Sequence, residues 1–161
     1  MLGGAADTPA VRDLVLLGGG HSHVQVLKAF GMQPEPGVRL TLITPTFDTP
    51  YSGMLPGCIS GVYDADEIHI KLAPLARFAG ARLIFAAASG LDLARGQVLF
   101  QDRPPLRFDQ LSINVGAVPV APYDGAVTVK PISRFLPKWR ALTGHALTQA
   151  GCRSASSRLS L

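Results

Sequence analysis

Four apolar residues, Leu14 to Leu17, run directly into Gly18-Gly19-Gly20-His21-Ser22-His23, and a helical pattern begins at once behind them. A strand, a glycine turn and a helix in that order can hold a dinucleotide. Gly18 permits the tight turn, Gly20 lets a pyrophosphate approach the backbone closely, and the free N–H groups of the helix hold the negative charge. The pattern departs from G-x-G-x-x-G at its third position, where His23 replaces glycine.

The other residues with reactive side chains carry less. His21 and His23 form an H-x-H, but residues two apart on a helix share no face and no third ligand stands near in sequence. A place beside the phosphates, or simple polarity at a helix start, is the better reading than metal. His69 and His145 are lone histidines of the surface or core edge. Cys58 lies in the loop after the second strand, where a redox disulfide would need a resolving thiol close by. The other cysteine, Cys152, lies in the C-terminal tail, so Cys58 reads as a small buried residue.

The elements that must position the glycine turn follow from apolar periodicity. A first strand is expected at Asp13–Leu17, and a helix from near Ser22 with Val24, Leu27 and Phe30 on one face. Gly31, Pro34 and Pro36 are expected to end that helix. Val38–Ile43 alternates and reads as the second strand, completing a βαβ unit of roughly thirty residues. Thr44–Gly61 is a long loop, and loops of that length inside a domain are usually functional. A short helix at Leu72–Phe78, a strand at Arg82–Ala87, a hairpin at Leu91–Phe100 turning near Arg95-Gly96 and a strand at Leu106–Val115 follow. Ile132, Phe135, Leu136, Trp139 and Leu142 mark a last helix, with Phe135 and Trp139 as its core.

Composition bounds the classes. With 47% hydrophobic and only 16% charged residues, the 161-residue chain is core-rich, which excludes disorder along most of its length. No uncharged stretch reaches the roughly 18 apolar residues of a membrane span, and the N-terminus lacks the basic and apolar regions of a signal peptide. A cytoplasmic protein is the expectation. The net charge of +4 comes from dispersed basic residues without interleaved aromatics, so nucleic acid is not an expected partner.

The order of motifs resembles a known family. The glycine turn, the loop Asp48-Thr-Pro-Tyr-Ser-Gly-Met-Leu-Pro-Gly57, the hairpin Ser89–Phe100 and the strand Arg107–Gly116 resemble the N-terminal flavin part of FAD-dependent pyridine nucleotide-disulfide oxidoreductases. That family includes type II NADH dehydrogenases and sulfide:quinone reductases. Leu14–Gly31 with Thr49–Gly57 behind it is most similar to the subgroup associated with selenide, water dikinase. The resemblance covers residues 12–142 and implies an α/β, Rossmann-like three-layer FAD/NAD(P)-binding half-domain with a β-meander insertion. Residues 1–11 and 143–161 are then tails, the latter disordered or aberrant.

The resemblance also implies roles. Gly18 and Gly20 would face the FAD pyrophosphate, with His21 and the Ser22 and His23 amides at the helix start. Thr44 and Pro45 stand at the end of strand two, where the family holds the adenine ribose with an acidic residue; Thr44 offers one hydroxyl instead. Thr49 and Pro50 match a Thr-Pro near the flavin ring, and Ala88 a position whose backbone touches adenine. Asn114 and Gly116 match a stretch close to FAD, and Val129–Ile132 the segment before a second dinucleotide domain.

FAD is the implied cofactor, NAD(P)H the implied co-substrate, and a small redox substrate such as a quinone or disulfide the acceptor, with peripheral membrane contact open. The second glycine turn for NAD(P)H is not in the sequence, so a truncated form is expected. The alternative is a non-catalytic nucleotide-binding remnant, or a module that needs a partner chain.

Overall fold

Strands β1 (Arg12–Leu17) and β2 (Val38–Thr44) send their side chains alternately into two buried faces. Leu14 and Leu16 of β1, with Leu40 and Leu42 of β2, join one core with Val24, Leu27 and Leu72. Val15, Leu17 and Ile43 join a second core with Val98. Apolar residues on both faces are what a parallel sheet between two layers requires. The computed structural model, which describes residues 12–117, 128–132 and 134–144, shows that sheet.

Helices α1 (His21–Met32) and α3 (Leu72–Phe78) cover one face, meeting the first core through Val24, Leu27, Leu72 and Leu75. A three-stranded meander, β6 (Gly90–Asp92), β7 (Gln97–Leu99) and β8 (Leu106–Arg107), covers the other through Leu91, Val98 and Leu106. The central sheet runs β5 (Arg82–Phe85), β2, β1, β9 (Gln110–Ile113), all parallel. This is the expected three-layer, Rossmann-like α/β fold with a meander. Leu16, Leu27, Leu42 and Leu72 are fully buried, and truncating such a leucine to alanine typically costs about 2–5 kcal/mol.

Three expectations change in detail. The run expected as one strand, Leu106–Val115, serves two sheets: β8 ends in the meander and β9 begins in the central sheet. The break is made at Asp109, whose N–H donates to the Asp13 carbonyl (3.0 Å) while its carboxylate accepts the Asp13 N–H (2.6 Å). Gly31 lies inside α1 and does not end it, because a Cβ there would run into the Phe78 ring of α3. The glycine serves close helix packing. The loop after β2 is also partly ordered, into β3 (Asp48–Pro50), a 3-10 turn at Ser52–Met54 and α2 (Leu55–Ile59), with β3 antiparallel to β4 (His69–Lys71).

Met1–Gly116 and Ala117–Leu161 form two compact units. In the second, residues 134–144 are helical, Ile132, Phe135 and Leu136 are buried, and the Phe135 and Trp139 rings lie 6.1 Å apart. Residues 143 and 144 thus continue the helix expected to stop near 142. The remaining tail, with His145 and Cys152, and residues 1–11 lie outside the described residues. No described helix is long and apolar enough to cross a membrane.

Candidate nucleotide-binding site

Parallel register sets which chain segments meet. Leu17 lies beside both Ile43 and Ile113, so the next residues, Gly18, Thr44 and Asn114, emerge side by side from the same edge of the sheet. Gly18 N–H donates to the Ile43 carbonyl and Asn114 N–H to the Leu17 carbonyl, both at 2.8 Å, carrying the ladder to that level. This is the carboxyl edge of the strands, where open α/β sheets bind ligands. At the opposite edge a concavity of about 710 Å³ is lined by Phe30, Arg39, Arg77 and Arg82. Both α1 and α3 end there, and helix C-termini disfavour phosphate.

Each glycine of the turn is demanded by a different group. Gly18 has φ +97, and a Cβ there would strike the Asn114 carbonyl and the Val115 backbone. At Gly20 a Cβ would fall on the Asn114 side-chain amide, although the backbone itself is extended, with φ −67 and ψ 164. At Gly19 it would come within 2.6 Å of a Leu72 methyl and 3.1 Å of the Thr44 hydroxyl. Gly20 N–H donates to the Asn114 carbonyl at 3.2 Å. Asn114 therefore braces the turn on one side and Thr44 and Leu72 on the other.

Behind the turn, α1 begins with no side-chain cap and no acidic residue in its first turn. Among the described residues, the N–H groups of Gly19, His21 and Ser22 have no protein acceptor. Free N–H groups at an uncapped helix start attract an anion. The His23 amide, expected with that of Ser22 at the helix start, donates to the Gly20 carbonyl at 3.0 Å. The His23 side chain is only 1% exposed and turns inward. Its Nδ1 lies 2.7 Å from the Gly18 carbonyl and its Nε2 2.9 Å from the Ser112 hydroxyl.

His21 faces outward and stacks on Tyr51, with ring centroids 4.6 Å apart and planes 17° from parallel. That contact brings the end of β3, Thr49-Pro50, to the start of α1. Tyr51 was not singled out in the sequence; an aromatic next to Thr-Pro in a glycine-rich loop was the available signal. Tyr51 N–H donates to the Ile68 carbonyl at 2.7 Å, fixing the loop further.

Thr44 is 1% exposed, and its hydroxyl is engaged by the Thr46 N–H (3.3 Å) and hydroxyl (3.2 Å). A hydroxyl so placed is not offered to a ribose. The nearest carboxylate along the chain, Asp48, is paired with Lys71 at 3.2 Å. Pro45 is exposed beside Thr44, Ala88 packs into the meander core, and Gly116 has φ +83 beyond the end of β9. Among the described residues no hydrogen bond or ring contact ties these three to the turn. Cys58 is half-buried in α2 as a free thiol. No group of three His, Cys, Asp or Glu among the described residues is arranged to hold a metal.

Solved structures share this architecture. The chain matches the sulfide:quinone oxidoreductase from the hyperthermophilic bacterium Aquifex aeolicus with a TM-score of 0.67 over 83% of its length, at 20% identity. It matches the chain of a covalent putidaredoxin reductase–putidaredoxin complex with a TM-score of 0.56 over 74% of its length, at 19% identity. It spans 32% and 29% of those two chains, respectively. No protein-family model and no curated protein matches the sequence.

Proposed function

We propose that this chain is the FAD-binding part of a flavin-dependent oxidoreductase that passes electrons from NAD(P)H to a quinone, a disulfide or another small acceptor. The observation that carries the reading is the uncapped start of α1 behind Gly18–Gly20, at the carboxyl edge of a parallel sheet. The Gly19, His21 and Ser22 N–H groups would hold the FAD pyrophosphate, and the same edge would present Thr49, Pro50 and Asn114 toward the remainder of the cofactor. These donors suit a pyrophosphate. The end of β2 suits a ribose less well, since Thr44 is buried and engaged by Thr46. When bound, FAD supplies the electron-transfer chemistry, while the chain binds and orients it. Matches that extend over about a third of longer redox proteins support a place as one segment of such an enzyme.

A second reading is a nucleotide-binding module completed by another polypeptide. It is favoured by β9, which among the described residues is an edge strand of the central sheet, with Ile113 55% exposed and Val115 behind it 66% exposed. An association with selenide, water dikinase belongs to the proposal through the sequence resemblance alone, and a cytoplasmic location through the sequence composition alone.

Purified protein titrated with FAD, with ATP as a control, tests the cofactor reading. Yellow protein whose melting temperature rises with FAD concentration is the expected result. Colourless protein that is indifferent to FAD would remove the reading.

A further inference from the structure

A carbonyl oxygen only accepts, so the His23 Nδ1 beside the Gly18 carbonyl carries the hydrogen, and Nε2 pairs with the Ser112 hydroxyl. The peptide unit is planar and trans, so the Gly18 carbonyl and the Gly19 N–H point in opposite directions. Drawing that carbonyl toward the buried ring turns the Gly19 N–H away from it. Gly19 N–H has no protein acceptor, like those of His21 and Ser22 on the next residues. Third-position glycine in dinucleotide turns serves close helix–strand packing. Here the imidazole occupies that gap and links the end of β1 to β9.

We propose that His23 is a positioning residue for the phosphate turn: its bond to the Gly18 carbonyl sets the Gly18–Gly19 peptide plane, so that the Gly19 N–H joins those of His21 and Ser22 as donors to a pyrophosphate. The proposal rests on the cofactor reading above. His23 does not touch the ligand. It acts through the peptide that it holds, while the Ser112 hydroxyl meets the other ring nitrogen.

Two substitutions separate the ring's two bonds. Asn places its amide nitrogen where histidine has Nδ1, and Gln places it where histidine has Nε2. His23→Asn should therefore keep the Gly18 bond, and His23→Gln only the Ser112 bond. In ¹⁵N spectra of the ligand-free protein, the Gly19 amide should stay near its native position in His23→Asn and move in His23→Gln. In fluorescence titrations with FAD, and with inorganic pyrophosphate, His23→Asn should bind within about threefold of the native protein and His23→Gln about tenfold more weakly, the loss of one buried hydrogen bond. Ser112→Ala should lower the melting temperature and leave FAD affinity unchanged, which separates positioning from general stability. Equal affinity of the Asn and Gln variants, or affinities that simply follow melting temperature across all three, would overturn the role of His23. A native protein that binds neither FAD nor pyrophosphate, while Gly19 still responds to His23→Gln alone, would instead overturn the cofactor reading and confine His23 to shaping the turn.

Discussion

The side-chain amide of Asn114 occupies the space that a Cβ at residue 20 would need, whereas the Asn114 backbone carbonyl occupies the space that a Cβ at residue 18 would need. Two glycines of one turn thus answer to the same residue through chemically different parts of it. A side chain can be removed and a backbone carbonyl cannot.

Gly20→Ala should therefore cost about 1–3 kcal/mol, as overpacking does, and Asn114→Ala should recover most of that loss because the extended backbone at residue 20 accepts alanine. Gly18→Ala should cost at least as much and gain nothing from Asn114→Ala, since both the carbonyl clash and the positive φ persist. Urea unfolding of the two double-mutant cycles measures the couplings. Equal rescue at both positions would contradict the assignment.

Thr44 stands where an acidic ribose ligand would be expected, yet its hydroxyl serves Thr46. Thr44→Val should lower stability by about 1 kcal/mol, the worth of an ordinary internal hydrogen bond, and leave FAD affinity within error. A selective loss of FAD affinity would show that the hydroxyl reaches the cofactor after all.

The His21–Tyr51 stack predicts a local effect. Tyr51→Ala should weaken the hold on the loop by about 0.5–1.5 kcal/mol, the usual worth of an aromatic pair. Amide exchange should quicken at residue 51, whose N–H is bonded to Ile68, with little change at Leu16 or Leu42 in the sheet. Uniform acceleration across the domain would argue for a global loss instead.

Arg39 donates from Nε to Asp13 Oδ1 (2.5 Å) and from Nη2 to Oδ2 (2.7 Å), which holds the Asp13 carboxyl below its ordinary range. The folded carboxyl then binds a proton less readily than the unfolded one. Its stabilisation is complete at neutral pH and is lost as pH falls below the ordinary Asp value of about 3.9. The stability gap between the native protein and Asp13→Asn, read from urea midpoints, should be widest near neutrality and shrink on acidification. A gap that grows in acid has the wrong sign for this pair.

What could be read in advance was local. Leu14–Leu17 and Val38–Ile43 announce strands because their apolar runs match a sheet buried on both faces, and Leu72–Phe78 is a helix in sequence and structure alike. The misread features depend on distant partners. Residues 106–115 look like one strand until Asp109 meets Asp13, 96 positions earlier. Gly31 looks like a helix stop until Phe78 packs against it. In the site, Gly18 and Gly20 were legible from spacing, and His23 was visible only as a missing glycine. Its partner Ser112 lies 89 residues away, and no periodicity encodes that distance.

The place of β1 in the strand order has a consequence for how the site comes into being. One edge of β1 is filled by β2, which follows closely in the chain, while the other waits for β9, nearly a hundred residues downstream. Long-range pairing of this kind is slow to form because a large loop must close first. During synthesis, the glycine turn leaves the ribosome early and stays without Asn114 until the last strand of the sheet arrives. The cradle is thus assembled in time as well as in space: a nascent chain halted before residue 110 would possess the whole fingerprint and lack both the Asn114 brace and the Ser112 anchor of His23.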